Sequence, residues 1–378
     1  LRDPLDRLAA ALNRLLLPIV ALDVPSGIDA DTGHAAENTV CAQVTITFAA
    51  AKPGLVLGAG PAHAGRVVVV AIGLPRGLVE AQLRAHGGAY RSTDAWARSV
   101  LPRRGPDAHK YSAGLALVVA GSGAFTGAPV LTAQAAARAG AGYVRLAAAE
   151  DAVPTLQAHL VEIPVTSLPS GADGLDAHGA RKALEAALTK ANALVIGPGL
   201  GREPGTLRTA RGLLEAFEGP VVVDADALAA LDPAWLARHA RGRLVLTPHT
   251  GELERLMGGK PDLTDRIALV RRLAGEWQAV LVLKGLPSVV GTPEGTVLVG
   301  AAHTTGLATA GTGDVLAGLT GGFLAQGLAP PDAALLALHV GGRAAQTYAR
   351  HRAPASMQAT DLLPLVPRVL YRLGSPAR

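Results

Sequence analysis

A single carboxylate set among small residues is the strongest chemical signal in this chain. In TAGTGDVLAG, residues 309–318, Asp314 follows Gly311, Thr312 and Gly313 and precedes an apolar run. Val315, Leu319 and Phe323 recur at four-residue spacing, which predicts a buried helical stripe and a helix starting near Thr312. The first N–H groups of a helix lack intrahelical partners, and the macrodipole is positive there. Gly311 and Gly313 let an anion approach that backbone closely. A lone Asp at a helix start is ordinarily a dipole-matching cap, but a cap needs no glycines around it. An anion hole beside a carboxylate is what phosphoryl transfer to a hydroxyl requires: donors for the moving phosphate and a base for the nucleophile's proton.

Other unusual residues follow short apolar runs. These are Gly121-Ser122-Gly123 with Thr126-Gly127-Ala128, then Gly197-Pro198-Gly199-Leu200-Gly201, and Asp224-Ala225-Asp226. Further along come Thr247-Pro248-His249-Thr250-Gly251-Glu252 and Lys284-Gly285. Each has a plain alternative. Glycines after strands are often turns; Asp224 or Asp226 would serve as a helix cap; His249 and Glu252 would sit in a solvated turn. Lys284 after an apolar strand either reaches solvent or meets an anion. Their coincidence is the functional argument, because ligands of open parallel sheets bind at the carboxyl ends of the strands.

The elements that would place them there are legible. LALVVA (115–120), YVRLAA (143–148), ALVIG (193–197), PVVVDA (220–225), RLVLT (243–247) and AVLVLK (279–284) read as buried strands. Helical segments at 128–139, 179–190, 205–217, 250–257 and 262–276 separate most of them. This alternation implies an α/β domain, a mainly parallel sheet with helices on both faces. Residues 288–300 read as a hairpin turning on Pro293–Gly295, and two Ala-rich helices, 312–326 and 331–350, close the domain. Upstream, IVALDV (19–24), QVTITF (43–48) and RVVVVAI (66–72) read as strands with little helix between them. The charged, Gly/Pro-punctuated stretch 77–106 reads as a linker with one short helix capped by Ser92-Thr93-Asp94. Three divisions result: 1–76, the linker 77–106, and 107–378.

Composition narrows the function. Of the 378 residues, 49% are apolar and 17% charged, which suits a packed globular protein. The net charge of +5 comes from scattered Arg without polybasic runs, arguing against nucleic acid as partner and for small anions such as nucleotides. Cys41 is the one cysteine, so no intrachain disulfide or cysteine zinc site forms, and a reducing, cytoplasmic setting is expected. Residues 111–137 carry no charge, but their four glycines and Pro129 mark a buried strand–loop–helix unit rather than a membrane span. A first residue Leu1 is expected of a chain that begins inside a longer gene product.

HKYSAG (109–114), AGSGAFTGA (120–128), IGPGLG (196–201), TPHTGE (247–252), VLKG (282–285) and GTGDVLAG (311–318) together resemble the ADP/ATP-dependent NAD(P)H-hydrate dehydratases. These are ribokinase-like enzymes, so the resemblance implies a three-layer α/β/α domain. LDVPSGIDADTG (22–33) and TFAAAKPGL (47–55) resemble the C-terminal part of an NAD(P)H-hydrate epimerase domain, a partial Rossmann-like α/β domain often fused upstream in a bifunctional repair protein. The reaction implied is dehydration of (6S)-NADHX or NADPHX with ADP, giving NADH or NADPH, AMP and phosphate. ATP is the alternative nucleotide, and Mg²⁺ accompanies either.

By the same resemblance Asp314 is the catalytic base, and Ala310, Gly311, Thr312 and Gly313 form the anion hole. Lys284, Gly285, Leu286, Pro287 and Ser288, with Gly313, lie along the nucleotide, and Ala128, Gly199 and His249 line the hydrate pocket with Asp314. In the epimerase part, Asp23 contacts hydrated nicotinamide and Ser26 helps hold a potassium ion. The epimerase's potassium- and phosphate-binding loop lies upstream of Leu1, so the chain as written is expected to dehydrate the S epimer without interconverting R and S. The family also implies a homo-oligomer, a tetramer. Two rivals use the same fold: a vitamin-precursor or sugar kinase, which the TPHTGE and IGPGLG pair disfavours, and a non-catalytic nucleotide sensor, which would not need Asp314.

Overall fold

The computed structural model describes residues 1–15, 17–85, 87–300 and 304–375. It divides into two compact units: Leu1–Ala89 with Asp262–Leu269, and Tyr90–Pro261 with Val270–Arg378.

The first unit begins with helix α1 (Leu5–Arg14), whose apolar positions repeat at helical spacing. Its three strands, β1 (Val20–Leu22), β2 (Val44–Phe48) and β3 (Arg66–Val70), pair in parallel in that order. Thr45 and Thr47 are buried on one face of β2, where their β-branched side chains suit the pleat. Helices α2 (Gly60–Ala64) and α3 (Arg76–Ala85) complete the unit.

The second unit is built on a ten-stranded sheet. Its strands are β4 (Ala89–Arg91), β5 (Leu115–Val119), β6 (Tyr143–Ala149), β7 (Val165–Leu168), then, past a minor hairpin of β8 (Ser170–Gly171) and β9 (Gly174–Leu175), β10 (Ala193–Ile196), β11 (Val221–Val223), β12 (Leu244–Leu246), β13 (Val280–Leu283), β14 (Val289–Gly291) and β15 (Val297–Val299). The order across the sheet is β4-β15-β14-β13-β12-β11-β10-β5-β6-β7. All pairings from β13 through β7 are parallel, and β13–β14 and β14–β15 are antiparallel. Valines stand opposite one another at its centre: Val118, Val195, Val222 and Val245 share one register and are wholly buried. Continuous apolar strands of this kind are what a sheet covered on both faces demands.

Helices α4 (Asp94–Val100), α5 (Gly127–Arg138), α6 (Val153–His159), α7 (Ala177–Lys190), α8 (Pro204–Ala216), α9 (Pro233–His239), α10 (Thr250–Met257), α11 (Arg266–Trp277), α12 (Thr312–Ala325), α13 (Pro330–Ala349), α14 (Ala359–Leu362) and α15 (Val366–Gly374) connect and cover the strands. The chain runs from β5 outward to β6 and β7, then returns to build β10, β11 and β12 on the other side of β5. The strand order therefore reverses between β5 and β10, the place where open α/β sheets bind ligands. Helix α12 packs on β5, β10 and β11, and on α5 and α13. It is buried nearly all round, and its glycines make this possible: a Cβ on Gly318 would lie 2.1 Å from the Thr132 carbonyl oxygen of α5, and one on Gly321 2.1 Å from Val195 Cγ2.

The stretch 77–106 is more structured than a linker with one short helix. It contains nearly all of α3, then β4, then α4, with Thr93 Oγ1 accepting the Trp96 N–H at 3.1 Å as the helix cap. The six strands read in the second unit, the hairpin and the helices expected at 312–326 and 331–350 all form within a few residues of those bounds, but the two helices do not close the domain, because α14 and α15 follow them. Strands β4 and β7 and helices α6 and α9 were not legible from the apolar pattern.

Candidate active site

Because the strands from β5 to β13 run parallel, their carboxyl ends share one edge of the sheet. On that edge the loop after β11 carries Asp224, whose side chain is only 2% exposed. Asp224 stands where a cap would stand, yet it caps nothing. Its Oδ1 accepts Thr247 Oγ1–H at 2.7 Å, from the loop after β12, and Lys284 Nζ at 2.9 Å, from the end of β13. Lys284 Nζ also lies 3.5 Å from Glu252 Oε2. Burial alone would depress the lysine's pKa, but the Asp224 and Glu252 carboxylates outweigh it and hold Lys284 above its ordinary value, fully charged.

Glu252 and His249 do not form a solvated turn. They make a capping box on α10: Glu252 Oε2 accepts the His249 N–H at 2.8 Å, while His249 Nδ1 accepts the N–H groups of Gly251 at 3.0 Å and Glu252 at 3.3 Å. With Nδ1 accepting, the ring proton resides on Nε2, 3.4 Å from Glu252 Oε1. Glu252 is buried, while the imidazole of His249 remains 55% exposed and available to a ligand.

Opposite this cluster stands the start of α12. Gly311 is its N-cap at φ 87°, a left-handed conformation suited to glycine, and no side chain caps the helix. The N–H groups of Gly313 and Asp314 have no hydrogen-bond partner among the described residues. A Cβ at Gly313 would lie 3.5 Å from Lys284 Nζ, so the ammonium sits directly against this turn. The half-buried Asp314 carboxyl accepts no hydrogen bond from any described donor. Burial, reinforced by the Asp224, Asp226 and Glu252 charges and opposed by Lys284, pushes its pKa up to about 7. A carboxyl in that range is able to accept a proton near neutral pH.

A cavity of about 350 Å³ opens beside these groups. It gathers His249, Lys284, Gly285, Leu286, Ser288, Thr312 and Gly313 from the sequence-predicted set. Pro287, between Leu286 and Ser288, is buried and does not line it, and Ala310 is exposed just before α12. The sequence did not reveal the rest of the lining, which includes Leu316 and Leu319 of α12 and Leu338, Gly341 and Gly342 of α13. Apolar spacing along α12 and α13 marks these residues as core, and nothing in it separates a cavity wall from a packed face.

Ala128 and Gly199 do not line this cavity. They meet each other at a neighbouring position on the same edge: a Cβ on Gly199, at φ 61°, would lie 3.2 Å from Ala128 Cβ and 2.8 Å from Phe125 Cβ. The loop carrying Gly199 is tied down by Asp226, which accepts the Gly201 N–H at 3.1 Å and Arg202 Nε at 2.7 Å. Leu131, one helical turn beyond Ala128, packs on Gly311, with Leu131 Cδ1 2.8 Å from where a Cβ would stand.

In the first unit, Asp23 adopts φ 66° and its carboxylate accepts Lys52 Nζ, Thr47 Oγ1–H at 3.1 Å and the Phe48 N–H at 3.2 Å. The bond from Lys52, followed by that from Phe48, holds Asp23 below the usual carboxylate range. Ser26 is exposed on the turn that follows.

A mainly parallel sheet with helices on both faces, with an open helix N-terminus, a partly buried ammonium and a half-buried carboxyl at the carboxyl ends of its strands, is an arrangement suited to an α/β enzyme that handles phosphorylated ligands. Residues 116–368 match the family described as NAD(P)H-hydrate dehydratase, and residues 1–54 match the YjeF-related protein N-terminus. The chain is 47% identical over 371 residues to the bifunctional NAD(P)H-hydrate repair enzyme Nnr of Salinibacter ruber, covering 97% of this chain and 68% of that protein. It is 34% identical over 372 residues to the Escherichia coli enzyme of the same name, covering 98% of this chain and 68% of that protein. The ADP/ATP-dependent NAD(P)H-hydrate dehydratase of Bacillus subtilis, co-crystallised with ATP and Mg²⁺, superposes with a TM-score of 0.62 at 27% identity, covering 74% of this chain and 97% of that one. The chain belongs to the NAD(P)H-hydrate dehydratase family. It is an enzyme of nicotinamide-nucleotide repair, a ribokinase-like lyase joined to an epimerase-related N-terminal part.

Proposed function

We propose that this chain dehydrates (6S)-NADH hydrate and (6S)-NADPH hydrate with ADP, releasing AMP and phosphate. Hydroxide is a poor leaving group and phosphate a good one. The C6 hydroxyl of the hydrate attacks the terminal phosphorus of ADP as Asp314 takes its proton, and the bond to AMP breaks. Free N–H groups of Gly313 and Asp314, in the turn formed with Ala310, Gly311 and Thr312, receive the charge of the moving phosphoryl group, with Lys284 beside them. The ring nitrogen then expels phosphate from C6, and loss of a proton from C5 restores the double bond.

The nucleotide lies along Lys284–Ser288, with its base against the leucine wall of the 350 Å³ cavity. The hydrate is held at Ala128, Gly199 and His249. No set of three His, Cys, Asp or Glu residues among those described forms a dedicated metal centre. This donor chemistry fits Mg²⁺ held by nucleotide oxygens and water, as that ion prefers, where it would neutralise phosphate charge. In the first unit, the epimerase resemblance assigns hydrated nicotinamide to Asp23 and a potassium ion to Ser26. A homotetramer in the cytoplasm completes the proposal, and no described helix is long and apolar enough to cross a membrane.

The observation that carries this reading is the Asp314 carboxyl, without a hydrogen-bond donor among the described residues and with its pKa pushed up to about 7, at an open helix N-terminus against Lys284. Incubating the protein with (6S)-NADH hydrate, Mg²⁺ and either ADP or ATP, and following NADH absorbance, tests it. ADP should support recovery of NADH, and recovery at the same rate without nucleotide would refute the reading.

A further inference from the structure

We propose that Asp224 is a positioning residue for the dehydration: it fixes the Lys284 ammonium against the first turn of α12, and the arriving terminal phosphate takes that lysine over beside Asp314. The inference rests on the reading of Asp314 and Lys284 given above.

The geometry is specific. Asp224 is a carboxylate with 2% of its side chain exposed, and burial of such a group is costly unless it is paired and hydrogen-bonded. Both of its bonds use one oxygen: Thr247 Oγ1 at 2.7 Å and Lys284 Nζ at 2.9 Å reach Oδ1. Thr247 is itself buried and lies on the adjacent strand end, so it fixes the direction in which the carboxylate points. The lysine is thereby held where a Cβ at Gly313 would be only 3.5 Å away.

An ammonium against a positively polarised helix end with unpartnered N–H groups is an unfavourable arrangement by itself. A phosphate between the two satisfies both, and the helix donors then share it with the lysine. Asp224 thus pre-sets the distance between the phosphate's cation and the base. The groups facing Asp314 are Asp224 and Asp226 from the loop after β11, Glu252 from α10 and Lys284 from the end of β13. Removing the Asp224 charge therefore eases ionisation of Asp314 as well as releasing Lys284.

Asp224→Asn keeps the shape and the acceptor oxygen but loses the charge. With (6S)-NADH hydrate and ADP, kcat should fall by about 10- to 100-fold, and the acid limb of kcat/KM should move at least about half a unit to lower pH. ADP affinity by calorimetric titration should hold or rise, because the carboxylate no longer competes with phosphate for Lys284. A strut with only a structural role would weaken ADP binding and turnover together and leave the acid limb in place, and that outcome overturns the proposal, as does unchanged turnover. Thr247→Val removes only the hydroxyl that aims Asp224. It should lower kcat by about 3- to 10-fold with ADP affinity intact, and it decides the matter if Asp224→Asn does not fold: unchanged kcat overturns the proposal. The wild-type protein is assayed first, since failure of its own turnover refutes the dehydratase reading and not the role of Asp224.

Discussion

At the scale of single residues, the proposal assigns the chemistry to Asp314 and Lys284, and the two can be separated by experiment. Asp314→Asn keeps the shape of the side chain and cannot accept a proton, so turnover should fall by about 10²–10⁴-fold while ADP still binds. Turnover within about threefold of wild type would reduce Asp314 to a helix cap. The same substitution should stabilise the fold. The folded pKa of Asp314 is raised from 3.8 to about 7, so the native state binds this proton more tightly than the unfolded chain. Stability is then highest below the unfolded value and falls as pH rises from about 4 to about 7. Asn carries no such cost, so Asp314→Asn should unfold at a higher temperature than wild type at pH 8, with no gain at pH 4. Lys284→Ala should weaken ADP more than hydrate, through loss of a charge-assisted contact to phosphate. Equal weakening of both ligands in calorimetric titration would contradict its placement. Both residues stand out in sequence because a charge after an apolar run or inside a glycine turn is hard to explain by packing. Asp224 does not stand out in that way. Its partners Thr247 and Lys284 lie 23 and 60 positions away, and D-A-D after a strand reads equally well as a cap.

At the scale of elements, the site depends on how closely α12 approaches α5 and the sheet. Gly318→Ala would place a methyl 2.1 Å from the Thr132 carbonyl oxygen, a backbone atom that cannot swing aside. It should cost about 1–3 kcal/mol by overpacking and lower kcat as α12 shifts, both readable from melting curves and initial rates. Gly313→Ala is the contrasting case. The new methyl would lie 3.5 Å from Lys284 Nζ, an ordinary contact, and Ala favours the helix. Its melting temperature should be unchanged or higher while ADP affinity falls, because the methyl enters the anion hole. The central strands were readable because each is a short apolar run that ends at a glycine, a charged residue or Thr-Pro. The edges were not. Strand β4 has three residues and no apolar run, and β7 at the margin of the sheet has only Val165 and Leu168 apolar, with Thr166 and Ser167 between them. Helix α9 lacks a legible apolar pattern but carries another signal, Asp232 as cap before Pro233 at the first helical position. The Asp232 carboxylate accepts the Trp235 N–H at 2.8 Å. The cavity wall from α13 was not legible because Leu338, Gly341 and Gly342 follow the same periodicity as residues that pack on the core.

At the scale of the whole molecule, a net charge of +5 favours the encounter with substrates that are all anionic. For both ADP and the hydrate, kcat/KM should fall by about 3- to 10-fold between about 0.02 and 0.3 M salt, with a smaller change in kcat. A flat response would show that capture depends on the local cation and helix end alone. The broad architecture of the second unit, a parallel sheet served by alternating helices, follows from the strand and helix rhythm. The candidate site spans the carboxyl ends of that sheet, with Ala128 and Gly199 by the reversal between β5 and β10 and with Asp224, Thr247 and Lys284 on the ends of β11, β12 and β13. The claim that ties these scales together is that the hydroxyl oxygen leaves as part of phosphate. The most direct measurement uses (6S)-NADH hydrate labelled with ¹⁸O at the C6 hydroxyl, turned over with ADP and Mg²⁺, with the released phosphate analysed by mass. The label should appear in inorganic phosphate, one atom for each NADH restored and each AMP formed. Label recovered in water, with unlabelled phosphate, would contradict phosphorylation of the hydroxyl and the role assigned to Asp314.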